Sequence, residues 1–321
     1  MLRRVAESVF WLSRYIERAE NVARFVDVCQ SMSLGGIPQW APLVFASGDE
    51  EQFNELYEEC TANNVLQFLL FDERNWNSVL SCLIKARENA RAIREILSSS
   101  MWESINRFYL RVRDASRNPT AVLQNPADFL ERVKRASHEV IGVSSATMSH
   151  GEAWNFARIG RMLERADKTS RILDVKYYIL LPDVTRVGSA LDIVQWSSLL
   201  ESTSALHMYR KRFGRILPKS VAEFLILDPQ FPRSVLFCVG HAQNSLQKIT
   251  GRTVGAPTAL AEVQFADLQH RLQSTPIDDI MNFGMHEFID SVQVALNDIG
   301  ATIDQSYFQV RPQDAASQEQ Q

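Results

Sequence analysis

Arginine and glutamate side chains recur at matching spacing in two segments, where they could bind an anion, accept a proton or pair with each other. One segment begins at Arg14 and the other at Arg161, and Glu17 and Glu164 stand 147 residues apart. Each reads Arg-x-x-Glu-Arg-Ala-(Glu or Asp)-x-x-x-Arg-x-x-Asp-Val, with seven of fifteen positions identical. A surface that needs only solubility does not keep seven positions in register, so we expect the two segments to share one geometry.

Both segments are predicted to lie on long α-helices. At about 100° per residue, Glu17, Asn21 and Arg24 fall on one side of the first helix, opposite an apolar arc that contains Leu12 and Val26. Residues three or four apart are neighbours on a helix, so each segment carries a ladder of alternating charge on a polar face. The motif side chains that we single out for binding or for a structural network are Arg14, Glu17, Arg18 and Arg24, with Arg161, Glu164, Arg165 and Arg171.

Three arrangements of these charges are compatible with the sequence. The two helices could pack antiparallel about a pseudo-twofold axis, with Glu17 near Arg165 and Glu164 near Arg18 in a partly buried network. The polar faces could instead line a groove in which arginines bind an anion and a glutamate acts as general base or engages an amine or metal. In the third arrangement the charges are exposed pairs that each contribute about 0.3–0.5 kcal/mol. Glu17 and Glu164 are the candidate catalytic residues, and the sequence does not decide whether the chain is an enzyme.

Two further charged segments are candidates for the same site. Arg87, Glu88 and Arg91 belong to a second helix rich in arginine and glutamate, which could extend a charged groove or form a solvated helix face. In a Pro-rich turn, Pro232 is predicted to begin a helix. Arg233 at that N-terminus would suit an anion.

No metal or cofactor site is predicted. The sequence has no H-E-x-x-H pattern, and the pairs Asp267 with His270 and His286 with Asp290 are each too few for a metal site. No Gly-rich phosphate loop with its following lysine is present. The four cysteines show no C-x-x-C spacing and are predicted to be reduced thiols.

Composition predicts a globular cytoplasmic protein. The chain has 321 residues, 45% of them hydrophobic, and a formal net charge of −4, so no overall basic field favours nucleic acid. No signal-like segment and no run of about 18 apolar residues is present, so neither secretion nor membrane spanning is predicted. Only seven of the 34 basic residues are lysines. Arginine suits fixed ion pairs or an anionic ligand, although a codon bias would give the same ratio.

Helical periodicity dominates the sequence, which predicts an all-α, multi-helix bundle with an internal pseudo-repeat of long helices. We expect a single domain over 1–310, with possible pseudo-repeat halves 1–148 and 149–310, and a disordered tail at 311–321. A loop is predicted at 39–48, and Asn75 is a predicted helix N-cap. The predicted helices cover 2–33, 50–61, 63–70, 76–98, 101–113, 127–145, 152–181, 189–213, 220–226, 232–249, 257–272 and 277–307.

Several separate stretches resemble the alpha-E family. They are Arg-Val-Ala-Glu-Ser-Val-Phe-Trp-Leu-Ser-Arg-Tyr-Ile-Glu-Arg-Ala-Glu-Asn at 4–21, the Arg/Glu helix at 86–95 with 101–106, and Leu-Asp-Pro-Gln-Phe-Pro-Arg-Ser-Val at 227–235. The resemblance extends from residue 1 to about 310. It implies a bacterial all-helical fold, whose Glu-Arg motif falls here on Glu17-Arg18 and Glu164-Arg165.

The same resemblance implies a functional setting. The resemblance implies that the chain is a companion of circularly permuted ATP-grasp ligases and transglutaminase-like peptidases. These systems make or modify peptide amide bonds. The chain contains no ATP-grasp or transglutaminase stretch, so such a partner would be a separate protein. We therefore expect a helical accessory or binding component with a peptide or anionic small-molecule ligand. The alternative is a stand-alone enzyme that binds an anionic substrate between the two repeated helices.

Overall fold

The computed structural model describes residues 1–32, 40–180, 189–251 and 259–309. The regular structure in these ranges is entirely helical, which confirms the predicted all-α class. A 3₁₀ turn at Arg94–Ile96 and a π-helical turn at Asp304–Phe308 accompany the α-helices. The α-helices of the described ranges are α1 (Arg3–Met32), α2 (Ala41–Ser47), α3 (Glu50–Leu56), α4 (Ala62–Leu70), α5 (Val79–Ala92), α6 (Ser99–Ser116), α7 (Thr120–Gln124), α8 (Ala127–Thr147), α9 (Glu152–Leu180), α10 (Ala190–Ser202), α11 (Leu206–Phe213), α12 (Pro218–Leu227), α13 (Val235–Thr250), α14 (Leu260–Ser274), α15 (Ile277–Phe283) and α16 (Met285–Ile303).

The helices α1 and α9 form the centre of the bundle and run parallel to each other. The terminal ammonium group of Met1 lies 2.9 Å from Oε2 of Glu152. Farther along, Gly160 packs on the carbonyl oxygen of Phe10, where an added β-carbon would come within 2.4 Å of that oxygen. Residue numbers therefore rise together along the two helices, and the predicted antiparallel packing is wrong. Helical periodicity identifies the face of a helix, but not the direction of the helix packed on it.

The surrounding helices repeat about a pseudo-twofold axis between α1 and α9. On one side α5 and α8 pack on α1, with α6 against both; on the other, α13 and α16 pack on α9, with α14 against both. The helices α2 and α10 cross over, since α2 packs on α9 and α10 packs on α1. The packing of α1–α8 thus recurs in α9–α16. The boundary between α8 and α9 is where the predicted halves 1–148 and 149–310 meet.

A second set of equivalent residues, 156 positions apart, supports this duplication. The rings of Phe53 and Tyr57 stack at 5.2 Å, and both meet the ring of Phe68 edge to face. The rings of Tyr209 and Phe213 stack at 5.1 Å and both meet Phe224 edge to face. Each member of the second triad stands 156 residues after its equivalent in the first. The repeated phrase of the sequence marks only α1 and α9.

Two predicted long helices are each divided in the structure. The predicted helix 189–213 consists of α10 and α11, because the chain turns at Ser204 with a positive φ of 55°. The predicted helix 277–307 is divided into α15 and α16 at Gly284, where φ is 116°. A positive φ ends a helix, and the apolar periodicity on both sides conceals it.

Three local predictions near helix starts are also wrong. The predicted loop 39–48 contains α2. The N-cap of α5 is Ser78 rather than Asn75, and Ser78 Oγ accepts a hydrogen bond from the backbone of Ser81. The helix predicted to begin at Pro232 begins after Ser234, which caps α13 in the same way. A serine at the N-cap accepts a hydrogen bond from the backbone N–H three residues later in the chain. A proline side chain has no acceptor atom for that bond.

The described helices share one buried apolar core. Within the described ranges, none of the helices combines the length and apolar character needed to cross a membrane. The predicted tail at 311–321 and the predicted helix ends at residues 33 and 181 lie outside the described residues.

Candidate functional site

The two Glu-Arg motifs meet between α1 and α9 in the interior of the bundle. The side chains of Glu17 and Glu164 are each 0% exposed, and that of Arg24 is 1% exposed. The arrangement with exposed pairs is therefore wrong for these side chains. The periodicity correctly groups them on one side of each helix, but that side faces the other half of the molecule rather than water.

Reciprocal ion pairs join the motifs across the pseudo-twofold axis. Nε and Nη2 of Arg165 each donate to Glu17 at 2.8 Å. In the equivalent pair, Nε of Arg18 donates to Glu164 at 2.6 Å and Nη2 donates at 3.0 Å. Both contacts are bidentate, the geometry in which arginine binds a carboxylate most strongly. These are the pairs of the predicted network, formed between parallel helices.

The carboxylate of Glu17 has two further partners. Nδ2 of Asn21 donates to it at 3.0 Å, and Nη1 of Arg233 donates at 3.5 Å. Arg233 reaches α1 from the segment that precedes α13 and is itself buried. Arg233 was predicted to suit an anion at a helix N-terminus, and the anion that it meets is a carboxylate of the same chain.

Glu164 is bound by different residues. Nε of Arg14 donates to it at 2.8 Å, and Nζ of Lys168 lies 4.0 Å away. Asn77, which precedes α5, accepts a hydrogen bond from Arg18 at 2.8 Å.

The positions of one cation and one amide are exchanged between the two copies. Lys168 occupies the motif position of Asn21, while Asn77 stands 156 residues before Arg233. Around Glu17 the motif helix supplies the amide and the capping segment supplies the cation. Around Glu164 the motif helix supplies the cation. Each buried carboxylate thus faces cations, although the residues that supply them differ between the two copies.

A second layer of acids and cations lies one turn farther along. Glu20 accepts hydrogen bonds from Arg24 at 2.8 Å and from Ser137 at 2.7 Å, and it also pairs with Arg233. Nε2 of His138 lies 3.1 Å from the same carboxylate. In the other copy Asp167 takes the equivalent place.

The arginines of this layer also contact the turns that follow α2 and α10. Nε of Arg171 donates to Asp167 at 3.1 Å, and its guanidinium lies against Gly48 at the end of α2. Arg24 donates to Ser204 Oγ at 3.0 Å and to the carbonyl oxygen of Ser202 at the end of α10. The network therefore ties both crossing helices to the central pair.

The electrostatics of the network keep its carboxylates ionised. Burial alone would raise the pKa of Glu17 and Glu164, but the arginines that face them hold both pKa values below that of an ordinary glutamate. A general base works best with a pKa near the operating pH, and it must reach the substrate proton. Neither condition is met at these two buried carboxylates. The geometry favours a structural role for them over acid–base catalysis.

Arg14 and Arg161 hold equivalent motif positions in different environments. Arg14 binds Glu164, whereas Arg161 makes no hydrogen bond or ion pair with any described residue, and its Nε is buried. Arg161 lies in a narrow cleft whose lining includes Leu12 and Ser144. Burial lowers the pKa of Arg161 to about 10, so the side chain stays charged at neutral pH.

The structure does not bring Arg87, Glu88 and Arg91 to the motif. Nε of Arg87 donates to Asn106 on α6 at 2.8 Å, and its guanidinium lies 5.0 Å from the ring centre of Tyr109. Glu88 and Arg91 are exposed on α5. These three residues form a solvated helix face rather than an extension of a groove.

One of the two histidines considered for a metal, His286, has another contact. Nδ1 of His286 lies 2.8 Å from Oδ1 of Asp174 on α9. In the part of the chain that the structure describes, no three His, Cys, Asp or Glu side chains come together as a metal site.

Several members of the network were missed by the sequence analysis: Glu20, Asn77, Ser137, His138, Asp167 and Lys168. Glu20 and Asp167 stand within the repeated phrase and were not selected. The signal for Asn77 is the second repeat, since Asp-(x)5-Ser-Val-Leu-x-Cys occurs at 72–82 and again at 228–238. Ser137 and His138 belong to no repeated pattern, and only the packing of α8 on α1 identifies them.

Comparison with known proteins gives a family and distant relatives. The profile of the alpha-E family, described as a predicted alpha-helical domain with a conserved ER motif, matches residues 1–308. Uncharacterized proteins of Mycobacterium bovis and of two Mycobacterium tuberculosis strains are 22% identical over 269 residues, which is 77% of this chain and 30% of each relative. The chain thus spans about a third of the length of these relatives, and no solved structure matches it. With reciprocal Glu-Arg pairs at its centre and the family profile over almost its whole length, the chain belongs to the alpha-E family.

Proposed function

We propose that this protein is a helical accessory component that works with a separate ATP-grasp ligase or transglutaminase-like protein in making or modifying peptide amide bonds. The observation that carries the proposal is the reciprocal locking of Glu17 with Arg165 and of Glu164 with Arg18 in the interior. Charges engaged in this way hold a scaffold together and leave the chemistry to a partner.

The relatives support a role beside other protein regions. In each mycobacterial relative, the region similar to this chain is 30% of the length and is joined to a larger remainder. In one protein a helical module can be fused to other regions. In another, the module can be a separate chain that binds the corresponding regions non-covalently. We place the complex in the cytoplasm, where ATP is available to a ligase.

A second candidate function rests on the balance of charge in the network. Its described side chains include twice as many cations as carboxylates, and buried charges need compensation. An anionic substrate or peptide carboxylate at the border of the network would supply that compensation, as in a stand-alone enzyme or an anion-binding module. The cations are Arg14, Arg18, Arg24, Arg161, Arg165, Lys168, Arg171 and Arg233, and the carboxylates are Glu17, Glu20, Glu164 and Asp167.

Reconstitution distinguishes the two candidates. The protein, its candidate ligase and the mixture are each supplied with ATP, an amine and a peptide carboxylate, and ATP turnover and amide product are measured. The accessory role predicts product only from the mixture, together with a complex that survives gel filtration. Product from this chain alone would instead establish the stand-alone enzyme, and unchanged ligase activity in the mixture would refute the accessory role.

A further inference from the structure

Two equivalent surface helices of the duplicated fold carry opposite charge. The acidic lobe is α3 with the residues that follow it to Glu59, and the basic lobe is α11 with the residues that follow it to Arg215. Both lobes rest on matching aromatic triads, since Phe53 and Tyr209 occupy equivalent places 156 residues apart. Backbone position and supporting core are therefore shared, and the outward charge is what differs.

Neither set of charges is neutralised by the residues that the structure describes. The exposed glutamates of the acidic lobe are Glu50, Glu51, Glu55, Glu58 and Glu59. Three exposed cations of the basic lobe are Arg210, Lys211 and Arg215. None of these eight side chains forms an ion pair with a described residue, whereas the neighbouring Arg212 pairs with Asp228.

The pseudo-twofold axis prevents the lobes from neutralising each other in one copy. Two elements related by a twofold axis lie on opposite sides of it, so the lobes are on opposite sides of the α1–α9 pair. The basic lobe also has exposed apolar side chains at Met208 and Leu217, and Phe45 is exposed on the helix before the acidic lobe. An apolar contact beside complementary charge is the usual composition of a protein interface.

We propose that the partner of both lobes is a second copy of this chain. The acidic lobe of one copy docks on the basic lobe of the next, so the contact is heterologous and builds a ring or an open filament rather than a twofold dimer. The pairing depends on exposed charges, so it is weak and screened by salt. It is independent of the proposed ligase partner, because it uses surfaces outside the Glu-Arg network.

Charge exchange between the lobes tests this proposal. One variant makes both lobes basic and carries Glu51→Lys, Glu55→Lys and Glu58→Lys. The other makes both lobes acidic and carries Arg210→Glu, Lys211→Glu and Arg215→Glu. All six positions are exposed, and circular dichroism checks that each variant folds.

Sedimentation velocity at low salt, across a concentration series, provides the measurement. We expect wild type to associate with rising concentration, and its apparent Kd to rise at least about tenfold on going to a salt concentration with a Debye length of about 3–4 Å. Each variant alone is expected to stay monomeric, and an equimolar mixture of the two is expected to regain association. A wild type that stays monomeric at low salt, or a mixture no more associated than its components, overturns the proposal.

Discussion

Arg165 and Arg161 stand one helical turn apart on α9, and both are partly buried. Replacing each by methionine compares an arginine that pairs with Glu17 with one that makes no ion pair with a described residue. Arg165→Met removes both hydrogen bonds at 2.8 Å from Glu17 and leaves that carboxylate 0% exposed. Its remaining partners are Asn21 and the more distant Arg233. Breaking a buried pair from one side costs about 3–5 kcal/mol, because an uncompensated charge stays buried.

Arg161→Met removes a guanidinium whose buried Nε has no partner. Methionine has a similar length, fills the cleft and needs no hydrogen bond. We therefore expect the free energy of unfolding to stay unchanged or to rise by about 1–2 kcal/mol. The two variants receive the same substitution on the same helix, so each is the control for the other.

Urea denaturation followed by circular dichroism measures both changes at pH 7 and moderate salt. The unfolding midpoint of Arg165→Met should fall clearly below that of wild type, while the midpoint of Arg161→Met should not fall. Equal destabilisation by the two substitutions would refute the reasoning, since it would mean that the ion pair with Glu17 contributes nothing beyond packing.

Three further predictions concern acid, packing and capping. The pKa values of Glu17 and Glu164 are lowered in the folded state, so their contribution to folding stability is complete above the ordinary glutamate pKa of 4.5 and is lost as pH falls below it. Between pH 7 and pH 3, the urea midpoint should therefore drop less in a variant with both residues changed to glutamine than in wild type. An equal drop would contradict the lowered pKa values of these two residues. Gly160→Ala should destabilise by about 1–3 kcal/mol because its β-carbon meets α1, whereas Gly142→Ala, with open space around it, should stabilise by about 0.5–1 kcal/mol in the same assay. Ser234→Ala removes the α13 cap and should cost about 1 kcal/mol by thermal or urea unfolding, and no change would contradict a stabilising role for that cap.

The sequence predicted those features that depend on one helix at a time. Period-3.6 patterns gave the all-α class and the approximate bounds of α1 and α9, and the repeated phrase paired Glu17 with Arg165. The direction of α9 relative to α1 was predicted wrongly because both directions can bring two polar faces together. The deciding contact is Gly160 on a backbone carbonyl, and a lone glycine in a helix gives no such signal in one sequence.

The remainder of the network depends on residues distant in sequence. His138 and Arg233 reach Glu20 from α8 and from the segment before α13, and no spacing rule connects them. The break at Ser204 was missed because serine seldom takes a positive φ and the flanking residues keep a helical pattern. The opposite charges of α3 and α11 are plain in the sequence, but their equivalence becomes visible only through the matching aromatic triads.

The coupling energy between Glu17 and Arg165 tests most directly whether the motif is an internal lock. A double-mutant cycle with Glu17→Gln and Arg165→Met, measured by urea unfolding, isolates that pairwise contribution. A control cycle uses Glu17→Gln with Arg87→Met, because Arg87 binds Asn106 on α6 and lies away from the motif. We predict a coupling of about 1.5–3 kcal/mol for the paired residues and less than about 0.5 kcal/mol for the control. A coupling near zero for Glu17 and Arg165 would contradict the account, because it would mean that these charges are solvated and available to a ligand.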